Sequence, residues 1–223
     1  MKIWKRLLAL VCAMVLLTSA ALADSKSAIN DVYDSYRSGN RSADNVYQQI
    51  VNGAYRSFEM SYIIASMLDT RGAYKSTISD VYDSYRSGNR SADNVYQQIV
   101  NGTYRTFEMT YVIANILDET GAYKSTISDI YDSYRSGNRS ADNVYQQIVN
   151  GTYRTFEMTY VIANILDKTG SYKSTISDIY DSYRSGNRSA DHVYQQIVNG
   201  TYRTFEMLYV IANIVNNNSS LFI

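Results

Sequence analysis

Lys75 to Tyr123 reads KSTISDVYDSYRSGNRSADNVYQQIVNGTYRTFEMTYVIANILDETGAY, and the next 49 residues, Lys124 to Tyr172, repeat it with three changes. A looser copy fills residues 24–74 and a truncated copy fills 173–215, before a short tail at 216–223. A fixed period of this length marks a stacked repeat architecture, in which each unit covers its apolar face with the next.

Within 75–123, Ile78, Val81, Tyr82 and Tyr85 fall at i, i+3, i+4 and i+7, one stripe of an amphipathic helix. Ser76 or Thr77 is placed to cap it and Gly88 to end it. A second, shorter helix is expected after Ser91, with Ala92, Val95, Tyr96, Ile99 and Val100 on one face and Asn101-Gly102 as its stop. A third runs from Thr103 or Thr106 to Gly121. Its Phe107, Met109, Tyr111, Val112, Ile113, Ala114, Ile116 and Leu117 are apolar almost all round, beside a narrow polar strip of Glu108, Asn115 and Glu119. Such a helix needs cover on several sides, which only neighbouring units supply.

The sequence therefore predicts an all-α, right-handed α-solenoid-like stack of four three-helix repeats. Separate beads are the rival arrangement, but the connector Asp118–Lys124 is too short and too aromatic for a free linker. In the first repeat Ala54, Ser57, Ser61, Ser66, Met67 and Arg71 replace Thr103, Thr106, Thr110, Asn115, Ile116 and Thr120, and in the final repeat Leu208 replaces the threonine found at 110 and 159. These departures are expected to cap the two ends, with Leu208 and the closing Leu221-Phe222-Ile223 as a lid.

Residues 1–23 read as a cleaved signal peptide: Lys2, Lys5 and Arg6, then the apolar run Leu7–Leu17, then an A-x-A end at Ala21-Leu22-Ala23. The apolar run is shorter than the roughly 20 residues that span a bilayer, so secretion without membrane insertion is expected. The chain's one cysteine, Cys12, lies in that segment, so the chain from Asp24 onward has no thiol and no disulfide. Without the signal, 18 basic residues face 21 acidic ones, a net −3. No clustered basic face suggests nucleic acid.

Chemistry is sparse. The single histidine, His192, replaces an asparagine found in the other copies. No nucleophile and base recur at a recognisable spacing, so no enzyme is expected. Neither a metal site nor a cofactor is expected: Asp80 and Asp83 are too few, and the turn Ser87–Asp93 carries an arginine and lacks the glutamate of a calcium loop. The sequons Asn89-Arg90-Ser91 and Asn101-Gly102-Thr103 are glycan acceptors in a host that glycosylates asparagine, or else helix caps and stops.

Tyrosine is the exception, with 23 residues. Tyr82, Tyr85, Tyr96 and Tyr111 lie on apolar stripes and belong to the core. Tyr104 and its equivalents Tyr55, Tyr153 and Tyr202 sit at helix entrances and are expected to form a ladder of exposed rings. Arg90, Arg139 and Arg188 add a row of guanidinium forks, unless they pair with nearby aspartates. These seven residues are the candidate binding surface.

The run from Ile127 through Gly151 resembles helical modules of unassigned function from secreted bacterial proteins. In those modules a Tyr-Arg segment precedes an Asp-containing turn, an aromatic residue and a glycine. It lacks their Leu-Gly-Arg and Tyr-Trp elements, and the resemblance implies no function. The leading expectation is a secreted, non-enzymatic repeat protein that presents an extended Tyr/Arg surface to an extracellular peptide or glycan. The alternative is a structural or self-associating envelope protein, a homo-oligomer built through unsealed ends.

Overall fold

A computed structural model describes residues 25–217. The expected signal segment at 1–23 and the expected lid at 221–223 lie outside the described residues. The described chain is all helix, with no strand. Helix α1 occupies residues 25–41. It is followed by α2 (Val46–Leu68), α3 (Lys75–Arg90), α4 (Val95–Leu117), α5 (Lys124–Arg139), α6 (Val144–Leu166), α7 (Lys173–Arg188) and α8 (Val193–Asn217).

Each repeat thus holds two helices, not the three expected. The second and third segments fuse into one 23-residue helix that runs straight through Asn101-Gly102. Glycine inside a helix costs about 1 kcal/mol relative to alanine. Tertiary packing outweighs that cost. A Cβ on Gly102 would lie 3.1 Å from the Cβ of Ala54, and one on Gly151 would lie 2.7 Å from Thr103 Cγ2. The glycine lets one long helix press against the one before it. The caps also shift. Asn94, not Ser91, caps α4, accepting the Gln97 backbone N–H at 3.1 Å. Gly88 does not end α3, which runs on to Arg90. Its start at Tyr74 has no side-chain cap. The turn back is made by Gly121 at φ +72, four residues beyond the end of α4, where glycine is favoured sterically.

The long helices α2, α4, α6 and α8 run parallel, since a short outer helix returns the chain each time. Each packs on the one before and the one after, as the apolar circumference required. The array does not stay open, however. Helix α8 packs against α2 as extensively as any sequential pair does. The four long helices form a closed barrel, and the outer helices fill the grooves between them.

The four junctions are equivalent, and the aromatic rings show it. Tyr85 of α3 stacks on Phe58 at 4.0 Å, Tyr134 on Phe107 at 4.0 Å and Tyr183 on Phe156 at 3.9 Å. Tyr36 of α1 stacks on Phe205 of α8 at 3.9 Å, so the first outer helix straps the seam between the last and first repeats. An open solenoid would leave α1 and α8 at opposite ends. Each long helix offers a glycine edge on one side and a Thr or Ala edge on the other, and the fourth step returns to the start because α8 meets α2. Gly53 meets Thr201 across the seam as Gly200 meets Thr152 within the chain.

Leu208 is not a lid. It is fully buried, as are Ser61, Thr110 and Thr159 at the same register of the other three long helices.

Candidate functional site

At the end of the barrel where the long helices begin, Tyr47, Tyr96, Tyr145 and Tyr194 turn their hydroxyls toward one another. The oxygens lie 3.0, 2.9, 2.8 and 2.8 Å apart around a closed cycle. Each hydroxyl has one hydrogen to give and lone pairs to accept, so a four-membered cycle satisfies one donor and one acceptor on every ring. Adjacent rings meet edge to face at 5.5–5.6 Å. Below them, buried Ile50, Ile99, Ile148 and Ile197 form an apolar layer. Hydrogen bonds from Tyr145 and Tyr47 push the ionisation of Tyr194 upward.

Around this hub lie the grooves between repeats. One, of about 580 Å³, has Tyr104, Gln97 and Asn101 of one repeat on one wall and Arg135, Arg139 and Gln147 of the next on the other. The seam holds its counterpart, of about 490 Å³, which includes Tyr202, Tyr36, Gln49 and His192. Both volumes fall within the range of roughly 300–1,000 Å³ typical of small-ligand clefts.

The wall of each groove is set by a latch. Asn101 donates to the Tyr85 carbonyl at 3.1 Å and to Asn89 Oδ1 at 2.7 Å, tying α4 to α3. Gly88 leaves room for it, since a Cβ there would lie 2.5 Å from Asn101 Oδ1. The same latch recurs through Asn52, Asn150 and Asn199. The Asn101 amide nitrogen, the atom a glycan would occupy, therefore donates twice inside the fold, which fits the structural rather than the glycan reading of that sequon.

Tyr104 is 37% exposed and held in place. It stacks toward Tyr134 at 5.9 Å, and the Arg105 guanidinium lies 4.6 Å from its ring centre. Arg105 in turn is ion-paired to Glu108. Partial burial, then the hydrogen bond to Glu108, push the Tyr104 phenol up to about 12. Tyr55, Tyr153 and Tyr202 repeat this arrangement, each with an arginine over the ring.

The four tyrosines sit well inside their long helices, because the expected helix start at Thr103 does not exist. Closure also distributes them around the barrel, one per junction, rather than along a row. Arg139 lies in the groove of Tyr104, contributed by the following repeat. Arg90 and Arg188 hold the same position on α3 and α7. Among the described residues none of the three forms an ion pair, so the aspartate pairing considered from sequence does not occur. Sequence reasoning passed over Gln97 and Gln147. Their invariant spacing in every copy is visible, but a groove between repeats needs the packing of α5 against α4 to be known. Among the described residues no three His, Cys, Asp or Glu side chains converge as metal ligands. No described helix is long and apolar enough to cross a membrane.

Compared with protein-family profiles, with curated proteins and with solved structures, the chain gives no match to any of the three. No function is lent by a relative.

Proposed function

We propose that this is a secreted, non-enzymatic binding protein whose inter-repeat grooves take an extracellular peptide or glycan. The observation that carries the reading is the juxtaposition of an oriented, part-exposed tyrosine with an unpaired arginine in one groove, Tyr104 with Arg139. Tyrosine gives a large contact area with little side-chain entropy to lose, and aromatic and arginine side chains dominate binding energy at interfaces. Arg105 is neutralised by Glu108, whereas Arg135 and Arg139 in the groove form no ion pair among the described residues, and each guanidinium is a fork suited to a carboxylate. The amides of Gln97 and Gln147 add donors and acceptors suited to hydroxyls or a peptide backbone. The signal-like residues 1–23 support export of the chain.

The test is a glycan and peptide array on residues 24–223, beside the quadruple variants Y55A/Y104A/Y153A/Y202A and R41A/R90A/R139A/R188A, which alter every groove of the barrel. A hot-spot residue contributes about 2 kcal/mol, so each variant is expected to bind its ligand roughly 30-fold more weakly. Undiminished binding by both variants rejects the grooves as the site.

A further inference from the structure

Three of the four junctions are bridged by the chain itself, through turns at residues 69–74, 118–123 and 167–172. The seam between α8 and α2 has no connector. Its contacts are nevertheless those of the other three. A Cβ on Gly53 would lie 3.5 Å from Thr201 Cβ, and one on Gly200 would lie 3.5 Å from Thr152 Cβ. Tyr47 and Tyr194 close the hydroxyl cycle at 2.8 Å.

We propose that the seam is a site of exchange with a second copy of this chain. When it opens, α8 exposes one edge and α2 together with α1 exposes the complementary one. A second open chain offers the same two edges. Straightening of the turn at 118–123 then lets repeats 1 and 2 of one chain close a barrel with repeats 3 and 4 of the other. Two barrels form, and every junction found in the monomer is rebuilt. Because the interactions are the same, the balance between closed monomer and exchanged dimer is set by concentration and by the cost of opening the turn, as in other domain-swapped pairs. Gly121, at φ +72, is free to take up an extended conformation in that hinge. The inference stands independently of what the grooves bind. It also relocates the self-association considered from sequence: among the described residues α8 meets α2, which leaves a seam to open in place of an end to add to.

The test uses residues 24–223 in two versions of different mass, unfolded and refolded together at micromolar and at near-millimolar concentration. Light scattering on a sizing column reads the product. The expected result is a dimer fraction that grows with refolding concentration, persists on dilution, and contains mixed dimers only when the versions were mixed before refolding. The control is G53C/T201C oxidised as a monomer, which is expected to stay monomeric until reduced. Monomer alone at every concentration overturns the proposal. So does a locked chain that dimerises as readily as the unlocked one, because that places association on the outer surface.

Discussion

A disulfide across the seam separates a closed barrel from an open stack. Placing cysteines at positions 53 and 201 sets two Cβ atoms 3.5 Å apart, inside the range of about 3.5–4.5 Å found in disulfides. From Asp24 onward the chain has no other cysteine. The pair closes a roughly 150-residue loop, for which the chain-entropy relation gives about 5 kcal/mol of stabilisation at 25 °C. For a domain of this size that raises Tm by about 10–20 °C. The matched control is T103C/G151C, whose Cβ atoms lie 3.7 Å apart and whose loop of 49 residues gives about 4 kcal/mol. Both pairs are expected to oxidise within the monomer, seen as faster migration on a non-reducing gel. The seam pair should melt at the higher temperature, and reduction should abolish the difference. An open stack makes the control bond but cannot make the seam bond, since it holds the first and last repeats apart. Closure of the control pair with no intramolecular bond at the seam refutes the barrel.

Three further outcomes follow from contacts already described. Gly151→Ala drives a methyl to 2.7 Å from Thr103 Cγ2, an overpacking cost of about 1–3 kcal/mol only partly offset by about 1 kcal/mol of helix propensity; urea melts should show the loss, and Thr103→Ala should restore it, because Ala54 already faces Gly102 in this way. Asn101→Ala removes two hydrogen bonds between α4 and α3 and is expected to cost about 1–3 kcal/mol in the same melts; unchanged stability would dismiss the latch. Burial raises the ionisation of Tyr85, Tyr134 and Tyr183 above that of a free phenol. Unfolded tyrosine ionises near pH 10, so their contribution to stability is intact below about pH 10 and is lost as pH rises toward their folded values. Phenolate absorbance should then show a late-titrating class coincident with loss of helix, and a single titration near pH 10 in a folded chain would contradict it.

The sequence carried the class of fold and the need for neighbours. Phe107, Met109, Ile113 and Ala114 are fully buried, as a helix apolar all round demands. It misled where local rules met a tertiary override. Asn101-Gly102 is a helix stop by propensity, yet the glycine is there for contact with the neighbouring helix and the asparagine for the latch. Closure was not legible either, because a period states how a unit meets the next and says nothing of the angle through which it turns. The grooves share that fate: Tyr104 and Arg139 stand 35 positions apart in sequence and meet only through the junction.

The departures of the first and last repeats gain a different meaning once the ends meet. A terminal cap places polar residues on an outer face, and Ser66 and Arg71 are exposed, but other substitutions point inward. Ser57 and Ser61 are buried, and so is Leu208. Ser61 is smaller than the threonine of the middle repeats and Leu208 is larger, and they occupy the same register on the two helices that form the seam. A small residue answering a large one keeps the filled volume nearly constant, the kind of exchange that cores tolerate best. The seam shares its glycine and aromatic contacts with the other junctions but combines a buried serine with a buried leucine at this register, which no other junction does. Near-identical repeats would otherwise specify every junction equally. The irregular copies thus supply what exact repetition cannot, an address that tells the chain where its barrel ends.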